Sequence, residues 1–379
     1  MTTSETRPPT TPPPPAVRNH KELPAGFRGT TAGENAKSTS SYTALLTQVR
    51  DAGLLARRTG FYITLFAIVT ALLGVAVTVS FLLGPSWFQL VIAAVIGLLL
   101  TQYGFLAHET AHRQVFASGK TSERIGRVLA SGVVGMSYDW WMSKHTRHHG
   151  KPNTISKDPD IGYGTLSFHE QDAAKHQGAS AWFTRRQGYA FFPILLLEGL
   201  NLHYLSYRTM FGRGKVAKRG HEIALVTIRF AVYLGIVFWF LPVGMGFAFL
   251  GVQLAVFGLY LGAAFAPNHI GMPLIPEASR VDFLSKQVLT SRNIRGRGMS
   301  IAMGGLNFQV EHHLFPNMPR PNLRKANRLV KEHCAVHTVT YTETSLWSAF
   351  GTVIHYLNTV GLAARQPFEC PMATQYRPR

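Results

Sequence analysis

The stretch FYITLFAIVTALLGVAVTVSFLL-GPS-WFQLVIAAVIGLLLTQYGFL, residues 61–106, decides the fold. Segments 61–83 and 87–106 contain no charged residue. Each is long enough to cross a hydrocarbon core of roughly 30 Å at about 1.5 Å per residue. Only Gly84, Pro85 and Ser86 separate them, so they read as a tight helical hairpin. A second hairpin is predicted over 223–241 and 243–267, turning at Pro242; its one charge, Arg229, lies where a guanidinium can reach the interface. The expected fold is all-α, a multi-pass membrane protein with four transmembrane helices in two hairpins and a helical cytosolic cap formed by 107–222 and 268–365.

The net charge of +19 takes its meaning from these spans. Eight Lys and Arg residues precede residue 61, sixteen lie within 107–221 and thirteen follow residue 267, while the short outer turns hold none. The positive-inside bias therefore places both termini and the central loop in the cytoplasm. Anionic lipid headgroups account for such a charge. No nucleic-acid partner is expected, because the basic residues flank membrane spans and no nucleic-acid-binding motif accompanies them. Two cysteines, Cys334 and Cys370, exclude a disulfide framework or a Cys-based cluster.

Residues 1–40 are rich in Pro, Thr and Ser and are expected to be a disordered tail, followed by one membrane domain over 41–365 and a second tail over 366–379. Segment 42–58 has apolar residues near helical spacing, which suggests either an amphipathic helix on the inner membrane surface or a helical linker. Segments 125–141 and 191–211 are apolar but interrupted, and are expected to lie along the surface or insert partly. A helix is predicted over 323–336, after a proline-rich turn at 316–321.

Chemistry enters with eight histidines in four clusters: His108 and His112 in HETAH, His145, His148 and His149 in HTRHH, His269 in APNHI, and His312 and His313 in QVEHH. Spacing of four residues puts two imidazoles on one face of a helix. Imidazole nitrogen binds iron, zinc or copper, and eight exceed what one ion can use, so two metal ions are expected. Two clusters follow inward-running spans and two lie in inward loops, so all four face one side. Glu109, Asp158, Asp160 and Glu311 are candidates for orienting the imidazoles. Trp140 and Trp141 either line a substrate tunnel or anchor the chain at the interface. The other histidines, and the trio His333, Cys334 and His337, lack a ligand pattern and read as structural.

HETAH, HTRHH and QVEHH resemble the three histidine boxes of the membrane fatty acid desaturases, in the branch whose third box begins with Gln. The likeness runs from about Tyr42 to Gly361 and includes Asp158-Pro159-Asp160 and His313-Leu314-Phe315-Pro316. The resemblance implies a non-haem diiron centre held by the eight histidines. With O2 and two electrons it removes two hydrogens from adjacent carbons of a fatty acyl chain, leaving a double bond. It also implies that Asn268 reaches a metal through water, and that Gln309 stands where many relatives have a ligating His. The basic cytosolic face favours acyl-CoA as substrate. No fused haem or nucleotide-binding module is evident, so a separate electron-transfer protein is expected, and the basic segment 213–219 suits an acidic carrier.

Two rival chemistries share these features. HETAH also fits HExxH, the zinc-protease signature, but that reading leaves six clustered histidines unused. A metal transporter would hold its ligands near mid-membrane in broken spans, and these spans have no ionisable residue at mid-depth. Within the diiron class, a related lipid hydroxylase is the alternative.

Overall fold

The computed structural model describes residues 32–363. In chain order the helices are α1 (Ala32–Asp51), α2 (Thr59–Leu83), α3 (Gln89–Ala111), α4 (Gly119–Arg127), α5 (Tyr138–Gly150), α6 (Glu170–Ala173), α7 (Gly178–Thr184) and α8 (Gln187–Phe211). They continue as α9 (Arg219–Phe240), α10 (Val243–His269), α11 (Phe283–Leu289), α12 (Met299–Ala302), α13 (Gln309–Leu314), α14 (Arg320–Val336) and α15 (Leu346–Ala363). A single turn of π-helix, Val128–Val134, follows α4. The strand content among the described residues is a short parallel pair, β1 (Asn293–Arg295) with β2 (Glu343–Ser345). The fold is all-α.

Four helices, α2, α3, α9 and α10, are long and apolar enough to cross a membrane. Their burial shows how they are used. Only 11% of the apolar window of α2 and of α9 is buried within the protein, against 56% for α3. Side chains such as Leu82, Trp239 and Ile63 stand exposed on the outer helices. A continuous apolar surface of that extent needs a hydrocarbon solvent, so this is a membrane protein.

Close helix contact depends on missing side chains at two crossings. A Cβ on Gly258 of α10 would lie 2.2 Å from the Gly199 backbone nitrogen of α8, and one on Gly97 of α3 would lie 2.8 Å from the Gln253 carbonyl. Helix α10 is thereby clasped between α3 and α8, which aligns the inner ends of α3 and α10.

Three local expectations change. Helix α1 starts at Ala32, inside the stretch expected to be disordered, and its Ala, Glu and Lys residues have good helix propensity. Residues 1–31 and the tail 366–379 lie outside the described residues. The helix expected over 42–58 ends at Asp51, and Leu45 and Val49 are fully buried against Val288, Val310, Met318 and Val330. Its apolar face covers the cap, not the membrane, and burial of that kind is worth about 1.5–3 kcal/mol per side chain. Segment 125–141 divides between α4, the π-turn and α5, breaking at Gly135, whose φ of 95° belongs to the left-handed region.

Candidate metal centre

Helix ends supply all eight histidines. Helix α3 runs past the apolar segment that closes at Leu106 and continues to Ala111, so His108 lies in its final turn and His112 caps it. Helix α5 carries His145, His148 and His149, and its start is fixed by Ser137, whose Oγ accepts from the Trp140 N–H at 3.2 Å. Helix α10 ends on His269, and the six-residue α13 carries His312 and His313. Four segments remote in sequence thus converge.

They converge as two groups. His108, His112, His145, His149 and His312 place one ring nitrogen each within 4.8 Å of one another, and His148, His269 and His313 do the same. In the first group Nε2 of His145 lies 3.0 Å from that of His108 and 2.7 Å from that of His112, while the Nε2 atoms of His149 and His312 are 3.1 Å apart. In the second, the Nε2 atoms of His148 and His269 are 3.3 Å apart. His148 and His149 are adjacent on α5 yet serve different groups, and the His149 ring stacks on that of His313 at 4.3 Å. The two groups are therefore contiguous.

The second group shows why its Nε2 atoms point inward. His148 donates from Nδ1 to Asp158 at 3.0 Å, His269 donates to the Thr290 carbonyl at 2.9 Å, and His313 donates to Gln287 Oε1 at 2.9 Å. The Gln287 amide is oriented by its own donation to the His149 carbonyl at 3.0 Å. A proton fixed on Nδ1 leaves the Nε2 lone pair free for a metal. Among the described residues, His313 Nε2 and Asn268 Oδ1 are buried without a hydrogen-bond partner, and both are donor atoms that a metal ion or its water would satisfy.

Burial keeps most of these rings neutral. His112 is lowered to about 4 by desolvation. His145, His149, His312 and His313 are lowered by desolvation and by one another. Burial acts the same way on His148, but Asp160 and Asp158 outweigh it and raise that ring. Convergent imidazoles, most of them kept neutral by burial, fit first-row metals such as iron, and two groups fit two ions.

The four carboxylates divide. Asp158 and Asp160 reach His148 Nδ1, the latter at 3.2 Å. Glu109 and Glu311 hydrogen-bond elsewhere, contrary to the expectation that they orient imidazoles. One residue along a helix turns the side chain by about 100°, so Glu109 leaves the His108 face and takes a bidentate pair with Arg320, 2.6 Å on each arm. Glu311 accepts from Asn293 Nδ2 at 2.7 Å and from the Tyr341 hydroxyl at 2.7 Å, and burial pushes its carboxyl up. Gln309 Nε2 lies 2.9 Å from His269 Nε2, and its Oε1 accepts from Asn268 Nδ2 at 3.3 Å, so both residues border the three-imidazole group.

Beside the imidazoles opens an apolar cavity of about 310 Å³. Its wall includes His108, His145, His148 and His269, with Phe105, Leu195 and Phe265. Trp140 and Trp141 both line it, and the Trp141 ring stacks on His145 at 4.6 Å.

A membrane-spanning helical bundle with two imidazole groups able to hold metal ions, set beside an apolar cavity, defines the class of membrane protein to which this fold and site belong. The sequence then narrows the class. Residues 85–345 match the family described as fatty acid desaturase, and the chain belongs to that family. It is 29% identical over 283 residues to an acyl-lipid (9-3)-desaturase of Physcomitrium patens, covering 72% of this chain and 54% of that protein. It is 28% identical over 296 residues to the delta(8)-fatty-acid desaturase 2 of Arabidopsis thaliana, covering 74% and 65%. Fatty acid desaturase 3 of Bos taurus is 26% identical over 338 residues, 86% and 74%. The chain therefore spans between half and two thirds of the length of the first two relatives.

Proposed function

We propose that this chain is a fatty acyl desaturase that introduces a cis double bond using O2 and two electrons. The observation that carries this reading is the convergence of eight imidazoles, five buried and three half-buried, in groups of five and three, beside an apolar cavity. His108, His112, His145, His149 and His312 hold one iron, and His148, His269 and His313 hold the other, with Asn268 and Gln309 next to the second. Two irons supply O2 activation, which a methylene with no acidic proton and no leaving group demands. The balance is –CH2–CH2– plus O2, two electrons and two protons giving –CH=CH– plus two waters. Asp158, Gln287 and the Thr290 carbonyl fix the imidazole orientations. The cavity wall excludes water and holds the alkyl chain against the ions, with Trp141 packed on a ligand.

Both termini and the site face the cytoplasm in this reading, because the basic residues flank the inner ends of the spans. A separate redox protein delivers the electrons. The basic cytosolic face favours acyl-CoA as carrier; a relative named for acyl-lipid desaturation supports an acyl lipid as the second candidate. The protease reading loses its general base, since Glu109 is occupied by Arg320. A diiron lipid hydroxylase remains the rival within the family chemistry.

Expression of the full chain in a host, followed by acyl-chain profiling with and without O2, tests the proposal. A new cis double bond that requires O2 and disappears in His312→Ala is expected. A hydroxylated product, or no new acyl species from iron-loaded protein, would overturn it.

A further inference from the structure

The cavity has one charged region outside its imidazoles. Lys144, Asp160 and Glu198 are the Lys, Arg, Asp and Glu side chains in its wall. Lys144 Nζ lies 2.9 Å from Asp160 Oδ1, and the two side chains keep 34% and 41% of their surface uncovered. Glu198 sits in the otherwise apolar run FFPILLLEGL of α8, accepts from Asn201 Nδ2 at 3.1 Å, and acts electrostatically on Lys144. An ammonium has three donors, and among the described residues Asp160 is the hydrogen-bond acceptor of Lys144. That pair leaves ammonium donors for a further acceptor, and Lys144 lines a cavity whose wall is mostly apolar. A lysine placed there for packing alone would be better replaced by a methionine, which carries no desolvation cost.

We infer that Lys144 is the polar anchor for the carbonyl oxygen of the bound acyl ester or thioester, held in place by Asp160 with Glu198 beside it. This rests on the desaturase reading for the identity of the ligand as an acyl chain. Asp160 bridges Lys144 to His148, so the anchor lies in the cavity wall beside the three-imidazole group.

The test is binding to the purified, iron-loaded full chain, measured by displacement of a fluorescent fatty acyl probe. Octadecanoyl-CoA is compared with its S-octadecyl thioether, and an ester lipid with the matching ether lipid, so the two carriers are read separately. Wild type is expected to prefer the carbonyl-bearing member of one pair by about ten- to a hundredfold, the value of a charge-assisted hydrogen bond. Lys144→Met is expected to abolish that preference while keeping ether affinity and iron content. Equal binding of both members by wild type, an undiminished preference in Lys144→Met, or loss of iron in that variant would each overturn the inference. Failure of wild type to bind any acyl ligand would overturn the desaturase reading with it.

Discussion

Asp158→Asn should release one metal ion and leave the other. The Asp158 carboxylate accepts the Asn153 N–H on Oδ2 at 2.7 Å and the Asp160 N–H on Oδ1 at 2.9 Å, and His148 Nδ1 lies 3.0–3.1 Å from both oxygens. Each oxygen already faces a backbone donor, so an amide in either orientation must turn its NH2 toward an N–H. The side chain is fully buried, so water cannot repair the mismatch. An unsatisfied buried donor costs about 1–3 kcal/mol. Loss of an outer partner of a ligating imidazole lowers metal affinity about 10–100-fold, equivalent to about 1.4–2.8 kcal/mol, which matches the cost of the unsatisfied donor. The assay is chelator competition on purified protein with iron counted per chain. One ion should leave Asp158→Asn at a chelator concentration ten- to a hundredfold below that needed for wild type, and the second should leave at the wild-type concentration. Release of both together, or a curve like that of wild type, would refute the division of the histidines into five and three.

Three further outcomes follow from the same geometry. His312→Ala and His148→Ala should each abolish turnover while the protein still inserts into membranes, checked by product analysis beside carbonate-resistant membrane recovery. Arg320→Met should destabilise the fold by about 3–5 kcal/mol because it strands a buried carboxylate; adding Glu109→Gln should recover at least half of that loss in detergent unfolding, and no recovery would show that Arg320 acts through packing. Gly199→Ala should cost about 1–3 kcal/mol by overpacking, since its Cβ would lie 2.3 Å from the Leu254 carbonyl; an unchanged unfolding midpoint would show that α8 and α10 part easily.

The sequence discloses the spans and the eight imidazoles because both leave local marks. Uncharged runs of twenty residues and pairs of His four apart need no knowledge of the rest of the chain. What holds the imidazoles is less visible. Gln287 reaches His313 across 26 residues of chain from a segment without a motif, and the Thr290 carbonyl that orients His269 belongs to a backbone every residue shares. Glu109 misleads for a different reason. Its place in HETAH suggests a role at the metal, whereas helix geometry turns it toward Arg320, 211 residues away. The apolar face of α1 marks a need for burial without saying whether lipid or protein meets it, and Val288, Val310 and Val330 do. Lys144 and Glu198 look like ordinary charges until the cavity places them in one wall.

Elemental analysis of the full chain purified from membranes bears most directly on the pairing of the imidazole groups. About two irons per chain are expected, falling to about one in Asp158→Asn after mild chelation, in line with the affinity loss expected when an outer partner is removed. A single ion per chain, or zinc in place of iron, would contradict the account.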